Sequence, residues 1–329
     1  MDQKPLNHLH ILLIFLFILL RSPPMHCQLD YSFYNLSCPG LTRVVRNGVW
    51  AAMRNETRIA ASLLRMHFHD CFVNGCDGSL LLDETSDMSS EKNAKPNNNS
   101  VRGFEVIDKI KAEVEKMCPS MVSCADILTL ASRDAVYLSG GMYWPVALGR
   151  RDGRVANQTA ANNEIPSPFD SLEKIRDKFA AKGLGIKDVV VLSGAHTIGF
   201  AQCFTFKNRL FNFNSSGEAD PSLDSTMLKN LQTQCPDSDD SDHELAPLDS
   251  VTKNTFDNVY FKNLMNNSGL LHSDQVLMED SETASMVSNY SKYSFLFSKD
   301  FGASMVKLGN VGVLTGDEGE IRTNCRVVN

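Results

Sequence analysis

The chain has 329 residues, 43% hydrophobic and 22% charged, the composition of a globular protein long enough for one large domain or two medium ones. A net charge of −7 excludes the basic footprint of a nucleic-acid-binding protein. Beyond the N-terminus, no apolar run approaches the ~20 residues of a membrane span.

At the N-terminus, Lys4 precedes ten apolar residues, "ILLIFLFILL" at 11–20, and "RSPPMHC" follows. That run is too short to cross a bilayer but suits the core of a signal peptide. The expectation is a signal peptide at 1–27 and a mature domain at 28–329, starting at Gln28, exported and free of the membrane after cleavage. Nine cysteines become eight when Cys27 is removed. An even number in an oxidising compartment predicts four disulfides, although spacing alone does not pair them. Asn35, Asn55, Asn98, Asn157, Asn214, Asn266 and Asn289 each begin an N-x-Ser/Thr acceptor, as in an exported glycoprotein.

Helical periodicity dominates the rest. "TRIAASLLRMHFHD", 57–70, reads as a helix with Ile59, Ala61, Leu63, Leu64 and Phe68 on its apolar side. "FEVIDKIKAEVEKM" carries a stripe of Ile107, Ile110, Val114 and Met117. "SCADILTLASRDAVYLSGG" is more apolar and therefore more buried, with Ser123 as N-cap and Gly140–Gly141 as stop. Further helices are predicted from Ser171 in "SLEKIRDKFAAKGLG" and from Pro221 in "PSLDSTMLKNLQTQC". Polar loops are expected at 84–102, 150–170, 212–220 and 236–256, the last holding the acidic, solvated run "DSDDSDHE". Strand patterns are short and rare, and no linker divides the chain. The fold class is mainly α, as two halves of one packed body.

The chemistry concentrates in "RMHFHDCFVNGCDGS", 65–79. Arg65 and His69 are four apart and share one helix face. His67 is two from His69 and points elsewhere, which argues against zinc held by His67, His69 and Cys71. Cys71 and Cys76 are more simply a bridge in an oxidising compartment. Asp70, Asp77 and Ser79, with carbonyls of Val73 and Gly75, are the oxygen types that calcium takes; solvated acids in a turn are the plainer alternative. A neutral His beside a fixed Arg charge can take a proton from one peroxide oxygen and return it to the other. That reaction needs an electron source. His196, in "VVVLSGAHTIGFAQC", could ligate a haem iron, with Asp274 in "LLHSDQVLM" behind it; alone, it reads more simply as a buried, bonded core histidine. No C-x-x-C-H occurs, so such a haem would be non-covalent.

Taken together, "RMHFHDCFVNGCDGSLLLD", "VSCADILTLASRDAV", "GRRDG", "VVLSGAHTIG" and "IRTNCRVVN" resemble the secreted plant haem peroxidases (class III, horseradish-peroxidase-like) over the whole of 28–329. The resemblance implies a distal and a proximal helical half sandwiching haem b, and reduction of hydrogen peroxide with single-electron oxidation of small phenolic or aromatic donors. It implies His69 as acid–base catalyst, Arg65 as charge stabiliser, Phe68 as distal aromatic, and Asn97 as the residue orienting His69. His196 becomes the iron ligand and Asp274 its carboxylate partner. Two calcium ions are implied. One is held by Asp70, Val73, Gly75, Asp77 and Ser79 with Glu91 linked through water; the other is held by Thr197, Asp249, Thr252, Thr255 and Asp257. Disulfides Cys38–Cys118, Cys71–Cys76, Cys124–Cys325 and Cys203–Cys235 follow by the same analogy. So do Pro166 at the donor channel, a monomeric extracellular (cell wall or apoplast) enzyme, and no vacuolar-type extension beyond "RVVN".

Overall fold

A computed structural model describes residues 29–329; the expected signal peptide lies outside them. In the first half, α1 (Leu41–Asn55), α2 (Ile59–Cys71), α3 (Phe104–Met117) and α4 (Cys124–Leu138) pack on one another. Helix α4 is the axis of this half, buried without interruption from Cys124 to Val136. Its apolar residues are covered by α1, α2 and α3, and its buried charges are paired, Asp126 with Arg150 and Asp134 with Arg133. Ser123 caps α4 by accepting from the Asp126 amide at 3.1 Å, and the chain leaves through Gly140 at φ 107°.

The second half adds α5 (Gln158–Glu164), α6 (Leu172–Ala180), α7 (Ile186–Ser193), α8 (Lys207–Phe211) and α9 (Ser225–Gln234). After these come α10 (Val259–Met265), α11 (His272–Gln275), α12 (Ser281–Lys292) and α13 (Ser294–Leu308). Its main apolar residues, among them Val190, Phe261, Phe297 and Phe301, are continuous with the core of the first half. A smaller cluster, Phe206, Leu210, Leu231 and Leu271, surrounds the Cys203–Cys235 bridge. Strands β1 (Phe200–Gln202) and β2 (Leu245–Pro247) pair antiparallel, with Ala201 opposite Ala246. They pin the segment after His196 against the 248–257 loop.

All four cysteine pairs named above are bridged, with S–S distances of 2.05 Å (Cys38–Cys118), 2.01 Å (Cys71–Cys76), 2.04 Å (Cys124–Cys325) and 1.98 Å (Cys203–Cys235). The chain end is locked to the first half by more than sulfur. Buried Asp152 accepts the amides of Cys124, Ala125 and Arg322, and the Arg322 guanidinium donates to the carbonyls of Gly78 and Cys325.

Three local expectations need correction. Pro221 does not open a helix: Asp224 caps α9 through the amides of Thr226 and Met227, and Pro221 lies in the preceding turn. Met117 is 40% exposed, because the stripe of α3 drifts off the core at its last turn. The 150–170 segment contains α5, which has almost no apolar face to signal it: Ala161 alone is buried, and Asn157 caps it through the Ala160 amide.

Candidate active site

Helix α2 presents two chemically different faces. On one, Arg65 Nε donates to His69 Nε2 at 3.1 Å. His69 Nδ1 donates to Asn97 Oδ1 at 2.5 Å, and Asn97 Nδ2 donates to the Glu91 carbonyl at 2.7 Å. That second bond fixes which way the amide points, so the oxygen faces the imidazole. Asn97 is 2% exposed, whereas Asn98 and Asn99 face solvent, so the structure distinguishes the three adjacent asparagines. The Arg65 guanidinium is held by Ser100 Oγ at 2.6 Å and the Pro96 carbonyl at 2.8 Å. Burial, followed by the adjacent Arg65 charge, pushes His69 well below the ordinary histidine value, against the Asn97 bond. Burial also pushes Arg65 down to about 10, which leaves it charged at neutral pH. The pair is thus a neutral base beside a fixed cation. Phe68 packs on Phe72 with centroids 4.3 Å apart and faces Phe179 of α6 at 6.1 Å.

The other face of α2 carries His67, which is 1% exposed and held down to about 3 by burial and the Arg150 charge. Its Nδ1 lies 3.6 Å from Cys71 Sγ. His67, Cys71 and Cys76 have ligand atoms within 4.8 Å of one another, but the two sulfurs are bonded together. No thiolate is left for zinc, and His69 faces Arg65 and Asn97 instead.

His196 follows α7 in a single 3-10 turn, Gly194–Thr197. Its Nδ1 donates to Asp274 Oδ1 at 2.7 Å, and Nε2 has no protein partner among the described residues. The segment after it returns to α2: a Cβ on Gly199 (φ 105°) would lie 2.9 Å from the Ala61 Cβ, so no larger residue fits. Gln202 Nε2 donates to the Asn99 carbonyl at 3.0 Å, beside Ser100. On the far side, Ser273 donates its amide to the Pro168 carbonyl at 3.1 Å, and Lys178 of α6 donates to the Ile165 carbonyl. These contacts tie the segments on either side of His196 to α2, to the loop that carries Ser100 and to the loop before α6, and Phe68 and His196 are each half-buried. A free imidazole Nε2, fixed by a carboxylate on Nδ1, fits an axial iron ligand. Pro166 is half-buried in the loop between α5 and α6.

The oxygen-rich positions form two groups. In the first, Asp70 accepts the amides of Gly78 and Leu80, Asp77 accepts that of Ser79, and Glu91 Oε1 accepts that of Asn157. Ser79 Oγ and Glu91 Oε2 are buried without any partner. Burial and mutual repulsion raise Asp70 well above the ordinary carboxylate value, burial raises Asp77, and burial takes Glu91 up to about 7. Orphaned oxygens among crowded buried carboxylates are the donor set of a hard cation. The carbonyls of Val73 and Gly75 already accept from Lys182 Nζ and from the Asp77 amide. In the second group, Thr252 donates to both Asp249 and Asp257, and Thr197 donates to Asp257 at 3.3 Å. Thr255 is exposed and joins this group only through its amide, bonded to the Thr252 carbonyl.

A sequence model of the peroxidase family matches residues 45–293. The chain is 59% identical over 300 residues to Peroxidase 10 of Arabidopsis thaliana, covering 91% of this chain and 86% of that one. It is 54% identical to Peroxidase N of Armoracia rusticana, covering 97% of both, and 49% identical to a lignin-forming anionic peroxidase of Nicotiana sylvestris, covering 96% of both. This chain belongs to the peroxidase family, in its plant class III branch. It is a haem enzyme that reduces hydrogen peroxide and oxidises aromatic donors, on a mainly helical peroxidase fold.

Sequence reasoning missed three participants. Ser100 reads as the end of a glycosylation acceptor, yet it holds Arg65. The Pro96 carbonyl has no side-chain signal at all. Tyr260 sits in a plain apolar helix and still reaches Asp274.

Proposed function

We propose that His69 moves the proton of hydrogen peroxide and that Arg65 stabilises the charge separated by O–O cleavage. His69 Nε2 takes the proton from one peroxide oxygen and returns it to the other, so that water leaves; no proton is exchanged with solvent. Arg65, held on three sides, places a fixed cation where negative charge develops, in a site from which burial excludes water. Asn97 keeps the His69 proton on Nδ1, so Nε2 is the basic atom. His196 Nε2 would hold the haem b without a covalent link, and the haem would supply the iron and the redox chemistry. Asp274 enriches the imidazole by accepting its other proton. Phe68, half-buried and backed by Phe72 and Phe179, would wall the opening where a small phenolic donor arrives past Pro166.

The observation that carries this reading is the buried His69 imidazole, bonded on one nitrogen to Asn97 and on the other to Arg65. The test is twofold. The purified protein is expected to show a Soret band; its absence would exclude haem. His69→Ala is expected to keep that band while slowing reaction with peroxide.

We further propose two calcium ions, at the Asp70–Asp77–Ser79 and Thr197–Asp249–Thr252–Asp257 groups, with the Val73, Gly75 and Thr255 carbonyls completing them and Glu91 linked through water. The orphaned Ser79 and Glu91 oxygens support the first. The second directly follows the haem ligand and would fix its position. The protein is read as an extracellular monomer. The seven acceptor asparagines are all exposed, and four disulfides suit an oxidising compartment, both of which support export.

A further inference from the structure

Asp274 does not serve His196 alone. The Tyr260 phenol donates to Asp274 Oδ1 at 3.1 Å, the same oxygen that accepts His196 Nδ1 at 2.7 Å. Oδ2 receives only the Leu271 amide, at 3.3 Å. Tyr260 and Asp274 are each 2% exposed, so water does not compete for either bond. The Tyr260 ring stands edge-on to His196 at 6.3 Å and packs against Phe261 at 5.0 Å. A phenylalanine would fill that space equally well; what the tyrosine adds is one hydroxyl aimed at one oxygen.

Two donors on one carboxylate oxygen share its charge. Inside a protein such charge-assisted bonds are strong, and each weakens the acceptor available to the other. We propose that Tyr260 is a positioning residue that sets the electron-donating strength of the proximal imidazole, by drawing charge from the Asp274 oxygen that holds His196. With the phenol in place, Asp274 pulls less on the Nδ1 proton and Nε2 is a weaker donor. Without it, His196 gains imidazolate character and stabilises the ferric over the ferrous metal. The idea rests on His196 being the haem ligand. It also gives the second candidate calcium group a reach beyond Thr197. Asp257 Oδ1 accepts the Val259 amide at 2.8 Å at the start of α10, one residue before Tyr260.

The experiment uses the haem-loaded protein and reads no turnover. Tyr260→Phe is expected to shift the ferric–ferrous equilibrium toward ferric by several-fold, up to about the tenfold change that corresponds to roughly 59 mV for one electron. The iron–imidazole stretching frequency of the ferrous form rises with it. In an Asp274→Asn background, the same substitution is expected to add nothing, because its route has been removed. Replacing Tyr260 with 3,5-difluorotyrosine, a stronger donor of unchanged shape, moves potential and frequency the opposite way and decides the matter if Tyr260→Phe loses haem. Unchanged potential and frequency, or a full shift in the Asp274→Asn background, overturns the proposal. A wild-type protein without a Soret band fails at the haem reading instead.

Discussion

At the scale of single residues, one imidazole is kept uncharged in a place where most would carry a proton at mild acidity. His69 must be neutral to accept a proton. Its value in the folded protein lies well below 6.5, lowered by burial first and by Arg65 second. The neutral form therefore persists as pH falls past 6.5, and reactivity is lost only when pH drops through the lowered value. Stopped-flow rates of reaction with peroxide should accordingly stay level across that point and fall only in stronger acid; an inflection at the ordinary histidine value would contradict the assignment. Replacement of His69 by alanine should lower the rate by at least the ~10²–10⁴-fold typical of one acid–base group, with the Soret band retained. An effect under about tenfold would remove His69 from the chemistry. Arg65→Leu should cost roughly 10²–10³-fold in the same assay, as loss of one preorganised charge-stabilising group does elsewhere.

Between elements, polar contacts set how helices meet. Asp188 at the start of α7 accepts from Ser304 Oγ at 2.7 Å and Lys307 Nζ at 3.0 Å on α13, and from the Gly185 amide at 2.9 Å. These bonds, led by Ser304, hold its carboxyl below the ordinary 3.8 against the burial that would raise it. A lowered carboxylate contributes stability that is fully present above 3.8 and is lost as pH falls through the folded value. Asp188→Ala should cost about 2 kcal/mol in urea melts at neutral pH, with a smaller difference in strong acid. The proposed first calcium would act on the loop that follows α2. Chelation should lower the melting temperature and release metal measurable by atomic absorption; Asp77→Asn should remove the ion at the first group and leave the second. Retention of both ions in that variant would refute the first ligand set. Gly75 serves the same loop from its backbone. At φ 113° a Cβ there would fall 2.3 Å from the Gly312 carbonyl, so the loop can close against the chain's C-terminal part only with glycine.

Over the molecule as a whole, the C-terminal segment is stitched to the first half. The Cys124–Cys325 bridge spans 201 residues. By the loop-entropy account its removal costs up to about 5 kcal/mol. Arg322 adds an independent tie, fully buried between Gly78, Cys325 and Asp152. Arg322→Ala should cost about 3–5 kcal/mol, since it leaves Asp152 buried without its cation. Denaturation that shows a loss under about 1 kcal/mol would mean the C-terminal segment is not structural.

Much of this protein is readable from residue types and spacing alone. Arg65 and His69 share a face because four residues make about one helical turn. The apolar residues of α4 demand burial, and an even set of cysteines in a chain read as exported predicts bridges. Those inferences need only local geometry and solvation. Other features depend on atoms distant in sequence. Which of Asn97, Asn98 and Asn99 meets His69 is decided by the bond from Asn97 to the Glu91 carbonyl. The Arg65 clamp comes from a backbone carbonyl and a serine more than thirty residues away, and no sequence pattern encodes such a pairing. Tyr260 looks like packing until α10 and α11 bring its hydroxyl to Asp274. The sequence alone determined which chemistry the chain could hold, because donor and acceptor types are written in it. Only the tertiary structure decided which groups share a proton, because hydrogen bonds depend on distance and direction that chain order does not carry.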